Sequence, residues 1–199
     1  MSSFLPASPK DRAIRYAISN RKVFPELTHR DYLRRLFAVP SDIVQLREKD
    51  LGDEMLDQWV QLAVGESQRR GRLLLVNSPP GEGLREGVQG VHLTSRQGAD
   101  LWLEPRPLIL GKSVHSRQEA RQAQEEGVDY VLLGPIFAPL SKTASVPPLG
   151  LEELALTARD LRIPVLALGG TGPWNEDEVM QTGAAGFAGI SWVHREMLD

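Results

Sequence analysis

The sequence predicts an α/β fold, a single (β/α)8 TIM barrel of parallel strands, on the rhythm of its short apolar runs and the glycines at the ends of the last three. The runs fall at Ala13 to Ile18, Ile43 to Leu46, Leu73 to Val76, Gly90 to Leu93, Leu108 to Gly111, Tyr130 to Leu133, Val165 to Leu168 and Phe187 to Ile190. Each is short and mostly apolar, the pattern of strands buried on both faces. The segments between them are long enough for helical crossovers, so a closed parallel barrel follows.

The stretch Met1 to Pro9 has no long apolar core and reads as part of an irregular lead-in over residues 1–12, with one barrel domain over residues 13–199. Met55, Leu56, Trp59, Val60 and Ala63 share helical spacing, as do Leu151, Leu154, Ala155 and Ala158, and both stripes are expected to be core. Ser116 to Glu126 opens with a capping-box pattern through Glu119 and stops at Gly127. Trp192 to Leu198 allows only about two turns, so the last helix is expected to be incomplete. Phe137 to Pro148 has no periodicity and holds Pro139, Pro147 and Pro148, the pattern of a flap over a barrel mouth.

With 199 residues the chain is sized for one sizeable core. No apolar run reaches the ~20 residues of a membrane-spanning helix, so the expectation is a cytoplasmic protein with no membrane partner. A net charge of -3 with acids and bases interspersed argues against nucleic acid as a partner. The chain has no cysteine, which excludes disulfides, thiolate metal sites and a cysteine nucleophile. Histidines at metal-ligand spacing and a Gly-x-Ser-x-Gly elbow are also lacking, and no metal ligand is assigned.

The candidate site residues follow the strand ends. Gln45, Arg47 and Lys49 alternate after the second run and so share one orientation, in which an amide and two cations suit a diphosphate. A solvated charge cluster is the competing reading of the same spacing. Asn77 can orient a ring nitrogen or amine because its amide both donates and accepts; equally, Asn is a common turn residue. His92 lies within the fourth strand, a position for a hydrogen-bonded core histidine. His115, beyond the fifth, is the better proton carrier, with a helix-entry role in competition. The backbones of Gly169 to Thr171 and Gly189 to Ser191 occupy the strand ends where barrels hold phosphate.

Taken in order, Tyr16 to Ser19, Gln45 to Lys49, Gly90 to Leu93, Ser113 to Ser116, Gly134 to Phe137, Gly169-Gly170 and Ile190-Ser191 resemble the thiamine phosphate synthase family and its sister group, the thiazole tautomerases. The resemblance covers nearly the whole chain. It implies a transferase of thiamine biosynthesis that joins a hydroxymethylpyrimidine diphosphate to a thiazole phosphate. Diphosphate would be held by Gln45, Arg47, Lys49 and Lys142, the pyrimidine met by Asn77 and Ser113, and thiazole phosphate carried on Gly170, Ile190 and Ser191. Arg47, Lys49, Ser113, His115 and Lys142 are expected to form the catalytic set, and Gln45, Asn77, Arg96, Ser141, Gly169, Gly170, Ile190 and Ser191 to bind substrate. Phosphorylated small molecules are the expected partners, and a homodimer stands as a further expectation.

The chain departs from the family pattern in three respects. The acids that hold magnesium in the synthases are replaced by Ser78 and by Thr94-Ser95-Arg96-Gln97, so Mg2+ is implied by resemblance while its usual ligands are absent. The hydroxyl-rich loop before the family lysine reads Pro139-Leu140-Ser141-Lys142. Where the bacterial tautomerases carry a catalytic histidine this chain has Pro135, which leaves His115 as the substitute proton carrier in a tautomerase reading. A noncatalytic binder of thiamine or thiazole phosphate is the third alternative.

Overall fold

The computed structural model describes residues 12–77, 85–99, 108–138 and 147–198. Within them eight strands close into an all-parallel barrel in sequence order. These are β1 (Ile14–Ile18), β2 (Ile43–Leu46), β3 (Leu73–Val76), β4 (Gly90–Leu93), β5 (Ile109–Val114), β6 (Tyr130–Leu133), β7 (Val165–Leu168) and β8 (Gly186–Gly189). The helices are α1 (His29–Ala38), α2 (Asp53–Arg70), α3 (Arg117–Glu125), α4 (Gly150–Asp160), α5 (Glu176–Gln181) and α6 (Ser191–Leu198). None is long and apolar enough to cross a membrane.

Alternation along the strands divides the core in two. Ile14, Tyr16 and Ile18 of β1 turn into the barrel with Ile43, Leu75, Ile109, Tyr130, Leu132 and Leu166, while Ala17, Val44, Leu74 and Val131 pack outward under the helices. In α2, Leu56, Trp59, Val60 and Ala63 are buried as the spacing predicts, but Met55 is exposed. Acids in the first turn of α2 and arginines in the last suit the helix dipole, and Gly71 ends it in the left-handed conformation.

Several expected boundaries change. β5 runs three residues past Gly111, because Lys112, Ser113 and Val114 pair with Val131, Leu132 and Leu133 of β6. Lys112 is buried in this extension and its Nζ lies 2.6 Å from Glu126 Oε2, a pairing that lets a charged residue continue a strand. β8 starts at Gly186 and ends at Gly189, leaving Ile190 as a bend between strand and helix. β1 begins at Ile14. Ser116 caps α3 by accepting from Glu119 N–H, yet the Glu119 carboxylate takes the His115 N–H at 2.8 Å, one residue earlier than a capping box. Of the expected flap, residues 139–146 lie outside the described residues, as does the lead-in up to residue 11. Arg12 is described, and its guanidinium pairs with Asp42 at 2.7 Å.

Candidate active site

A cavity of about 500 Å³ opens over one end of the barrel. Gln45, Arg47 and Lys49 line one side, Asn77 and Arg96 another, and Ser113 and His115 complete the polar wall, with Ile190 beside them. Ile18, Leu132 and Leu168 supply an apolar floor. These residues sit at or just past the C-terminal ends of their strands, the end at which barrels of this kind carry their chemistry. Ser141 and Lys142 lie outside the described residues.

Arg47 and Lys49 follow β2 and are aimed by the residue between them. Glu48 is buried; it accepts from Ser19 Oγ at 2.6 Å and from the Arg21 N–H at 3.1 Å. Ser19 Oγ in turn accepts from the Arg47 N–H at 2.9 Å. Glu48 is thus anchored to the segment after β1, while its neighbours face the cavity. Desolvation pushes its carboxyl above the ordinary range. Burial lowers the pKa of the Arg47 guanidinium, and the Arg47 charge lowers that of Lys49. Closely spaced cations in a half-buried setting form a cradle for an anion.

Asn77 donates through Nδ2 to the His92 carbonyl at 2.8 Å, which fixes the amide and leaves Oδ1 without a partner among the described residues. His92 is buried, with Nδ1 2.9 Å from Tyr130 Oη and Nε2 2.8 Å from Ser113 Oγ. Desolvation, with a smaller contribution from the Arg47 charge, drops its pKa to about 3, so the ring is neutral at physiological pH. His115 is exposed, and its Nδ1 must carry a proton because it donates to the Gly134 carbonyl at 2.7 Å. That leaves Nε2 as the basic nitrogen. Its main-chain bond to Glu119 serves helix entry, so the two readings of His115 coexist.

The glycine-containing strand ends are adjacent. β7 pairs with β8 at Leu168 and Ala188, and Thr171 Oγ1 donates to the Ala188 carbonyl at 2.8 Å. Gly169 and Gly170 both have positive φ, at 91° and 68°. Their carbonyls accept from Phe137 N–H and Asn175 Nδ2. Among the described residues their own N–H groups, and that of Ile190, donate to no other main-chain group. With Ser191 opening α6 beside them, this corner can receive a phosphate.

At the places of the missing acids, Gln97 is occupied in a turn, its Oε1 accepting from the Thr94 N–H at 2.8 Å and Thr94 Oγ1 at 3.0 Å. Ser78 lies outside the described residues.

A model of the thiamine monophosphate synthase family matches residues 15–193, nearly the whole barrel. The chain belongs to this family. It is 32% identical over 184 residues to the thiamine-phosphate synthase of Methanocella arvoryzae, covering 89% of this chain and 85% of that one. The thiamine-phosphate synthase of Chlorobium phaeovibrioides is 36% identical over 174 residues, covering 85% and 83%. Among solved structures, the thiamine phosphate pyrophosphorylase from Pyrococcus furiosus superposes with a TM-score of 0.78 at 24% identity, covering 95% of this chain and 96% of that one, and supports the fold.

His92 is legible in the sequence as a core residue, whereas the roles of Tyr16 and Tyr130 are not. Both phenols are fully buried beneath the cavity, and their hydroxyls meet at 2.9 Å. A tyrosine at an inward position of a barrel strand is the signal available, since its hydroxyl needs a partner there.

Proposed function

We propose that this chain is a thiamine phosphate synthase that joins a hydroxymethylpyrimidine diphosphate to a thiazole phosphate. The observation that carries the reading is the convergence of Gln45, Arg47, Lys49, Asn77, Arg96 and Ser113 on one cavity, next to N–H groups after β7 and β8 that donate to no main-chain group among the described residues. In this reaction the bond from the pyrimidine methylene carbon to the diphosphate oxygen breaks, with its electron pair leaving on diphosphate. The thiazole nitrogen then gives its lone pair to the methylene carbon. Negative charge accumulates on the leaving oxygen, and Arg47 and Lys49 are suited to stabilise it, with Lys142 and Ser141 assigned to the same group. Asn77 and Ser113 orient the pyrimidine, and Gly169, Gly170, Ile190 and Ser191 hold the thiazole phosphate.

The family implies magnesium, and the described lining does not fit it. No carboxylate is among the described lining residues, and no group of three His, Asp or Glu among the described residues could hold a metal. Among the described residues, the Glu48 carboxylate beside Arg47 and Lys49 is taken up by Ser19 and Arg21, and that of Glu119 by the His115 N–H. Hard cations seek oxygen anions, and a wall of guanidinium, ammonium and amide offers none. We assign the corresponding charge to Arg47, Lys49 and Arg96. Incubation of the purified protein with the pyrimidine diphosphate and thiazole phosphate, with and without magnesium, tests the reading. Formation of thiamine phosphate is expected; its absence under both conditions overturns it.

His115 favours a second reading. An imidazole tethered at Nδ1 with Nε2 basic can move a proton on a thiazole carboxylate phosphate. Isomerisation of that compound, lost in His115→Ala, is its test.

A further inference from the structure

A chain of hydrogen bonds runs through the barrel interior and returns to the cavity at both ends. Ser113 Oγ meets His92 Nε2 at 2.8 Å; His92 Nδ1 meets Tyr130 Oη at 2.9 Å; Tyr130 Oη meets Tyr16 Oη at 2.9 Å; Tyr16 Oη meets Gln45 Oε1 at 3.3 Å. The interior members are 0% exposed at Tyr16 and Tyr130 and 3% at His92, so water has little access to break the chain. Gln45 and Ser113 both line the cavity.

Proton counting gives this chain a direction. Each hydroxyl has one proton, and a neutral imidazole has one N–H, so orienting one link orients the rest. The Gln45 carbonyl oxygen can only accept, so Tyr16 spends its proton there. Tyr16 must then accept from Tyr130, Tyr130 from His92 Nδ1–H, and His92 Nε2 from Ser113. At one end Ser113 Oγ is left with lone pairs for the cavity. At the other, Gln45 Nε2 is a buried donor with no partner among the described residues.

We propose that Tyr16, Tyr130 and His92 are positioning residues that fix opposite hydrogen-bond polarity at the two ends of the chain, Gln45 donating and Ser113 accepting. The relay therefore acts as a specificity device for a ligand that presents a donor to Ser113 and an acceptor to Gln45. An aminopyrimidine edge, with an exocyclic amine beside a ring nitrogen, has that chemistry; this step rests on the function proposed above. A ring carbonyl in place of the amine sets acceptor against acceptor at Ser113. Geometry supports a built device: a Cβ on Gly111 would collide with the Tyr130 ring and hydroxyl, so the strand next to Tyr130 gives up a side chain to seat it.

The tautomer of His92 reads the direction of the relay without any ligand. Imidazole nitrogen chemical shifts of the full-length protein, assigned by loss of the signal in His92→Gln, are expected to show Nδ1 protonated and Nε2 bearing the lone pair. Tyr130→Phe removes the Nδ1 acceptor and Tyr16→Phe frees the Tyr130 proton to point at Nδ1. Both keep the ring volume, and both are expected to move the proton to Nε2. Affinity for hydroxymethyl aminopyrimidine is expected to exceed that for its ring-carbonyl analogue by at least about tenfold in the native protein, and the ratio to fall towards unity in either variant. A purely structural role lowers both affinities together and leaves the ratio alone, which overturns the proposal, as does an Nε2–H tautomer in the native protein. If the tautomers behave as expected while neither pyrimidine binds, the relay stands and the aminopyrimidine reading of the cavity falls.

Discussion

Arg47 and Lys49 stand close enough on one rim of the cavity for the guanidinium to hold the Lys49 ammonium below its ordinary pKa. Two like charges kept together favour a ligand that carries the opposite charge, because the anion relieves their repulsion.

Arg47→Ala and Lys49→Ala are each expected to weaken binding of inorganic diphosphate by about 1.5–3 kcal/mol, with a much smaller effect on thiazole phosphate. The diphosphate also restores the pKa of Lys49 upward, so the complex holds more protons than the free protein on the alkaline side. Affinity should fall as pH rises through the free-state pKa of Lys49, and Arg47→Ala should move that fall to higher pH. Calorimetric titration across pH checks both; equal losses for the two ligands would show that the anion subsites have been wrongly divided.

Gly170→Ala tests the phosphate corner. The substitution puts a Cβ 2.7 Å from that of Phe137 and 2.8 Å from the Ala138 oxygen, at a φ of 68° that side chains rarely adopt. Strain of this kind costs about 1–3 kcal/mol, and relief must come from the backbone that presents the Gly169 and Gly170 N–H groups. Loss of stability by urea denaturation together with at least about tenfold weaker thiazole phosphate binding is expected. A destabilised protein with unchanged phosphate affinity would remove this loop from the site.

Burial of His92 predicts a pH dependence of stability. Its folded pKa of about 3 lies below the unfolded value, so between the two the unfolded chain binds more protons. The contribution is present above about pH 6.5 and is lost progressively as pH falls towards the folded pKa. From pH 7 to pH 5 this amounts to about 2 kcal/mol of lost stability from His92 alone. His194, also lowered by burial, adds to the same trend. Urea unfolding at the two pH values should give a smaller difference for His92→Gln than for the native chain; an identical difference means that His92 is not held neutral by burial.

The barrel was legible because its strands are buried on both faces and read as apolar runs between helical stripes. Five of the eight expected runs coincide with the strands observed, including Ile43 to Leu46 and Val165 to Leu168. The tail of β5 was not, because Lys112 looks like a loop residue until Glu126 is seen beside it. Alternation did foresee that Arg47 and Lys49 would share a cavity, although both lie past the end of β2 and the turning of Glu48 towards Ser19 is what separates them from their neighbour. The Tyr16 and Tyr130 contact spans 114 positions and has no local pattern, so only the closed barrel brings it into view.

Arg96 carries the last prediction. It lines the cavity just past β4, where the family keeps an acid, and Gln97 beside it is committed to the Thr94 turn. A fixed cation there can stabilise the leaving diphosphate, with stricter geometry than a metal because the guanidinium fork must be aimed. Turnover is expected to depend weakly on magnesium and to drop by about tenfold or more in Arg96→Ala, since a charge-assisted hydrogen bond of about 1.5–3 kcal/mol is removed from the transition state. Arg96→Lys should recover part of the rate, because charge is kept while the bidentate fork is lost. Steady-state rates across a magnesium series decide the matter: strict dependence on millimolar magnesium together with a harmless Arg96→Ala would place the balancing charge on a metal held by ligands other than the residues lining this cavity.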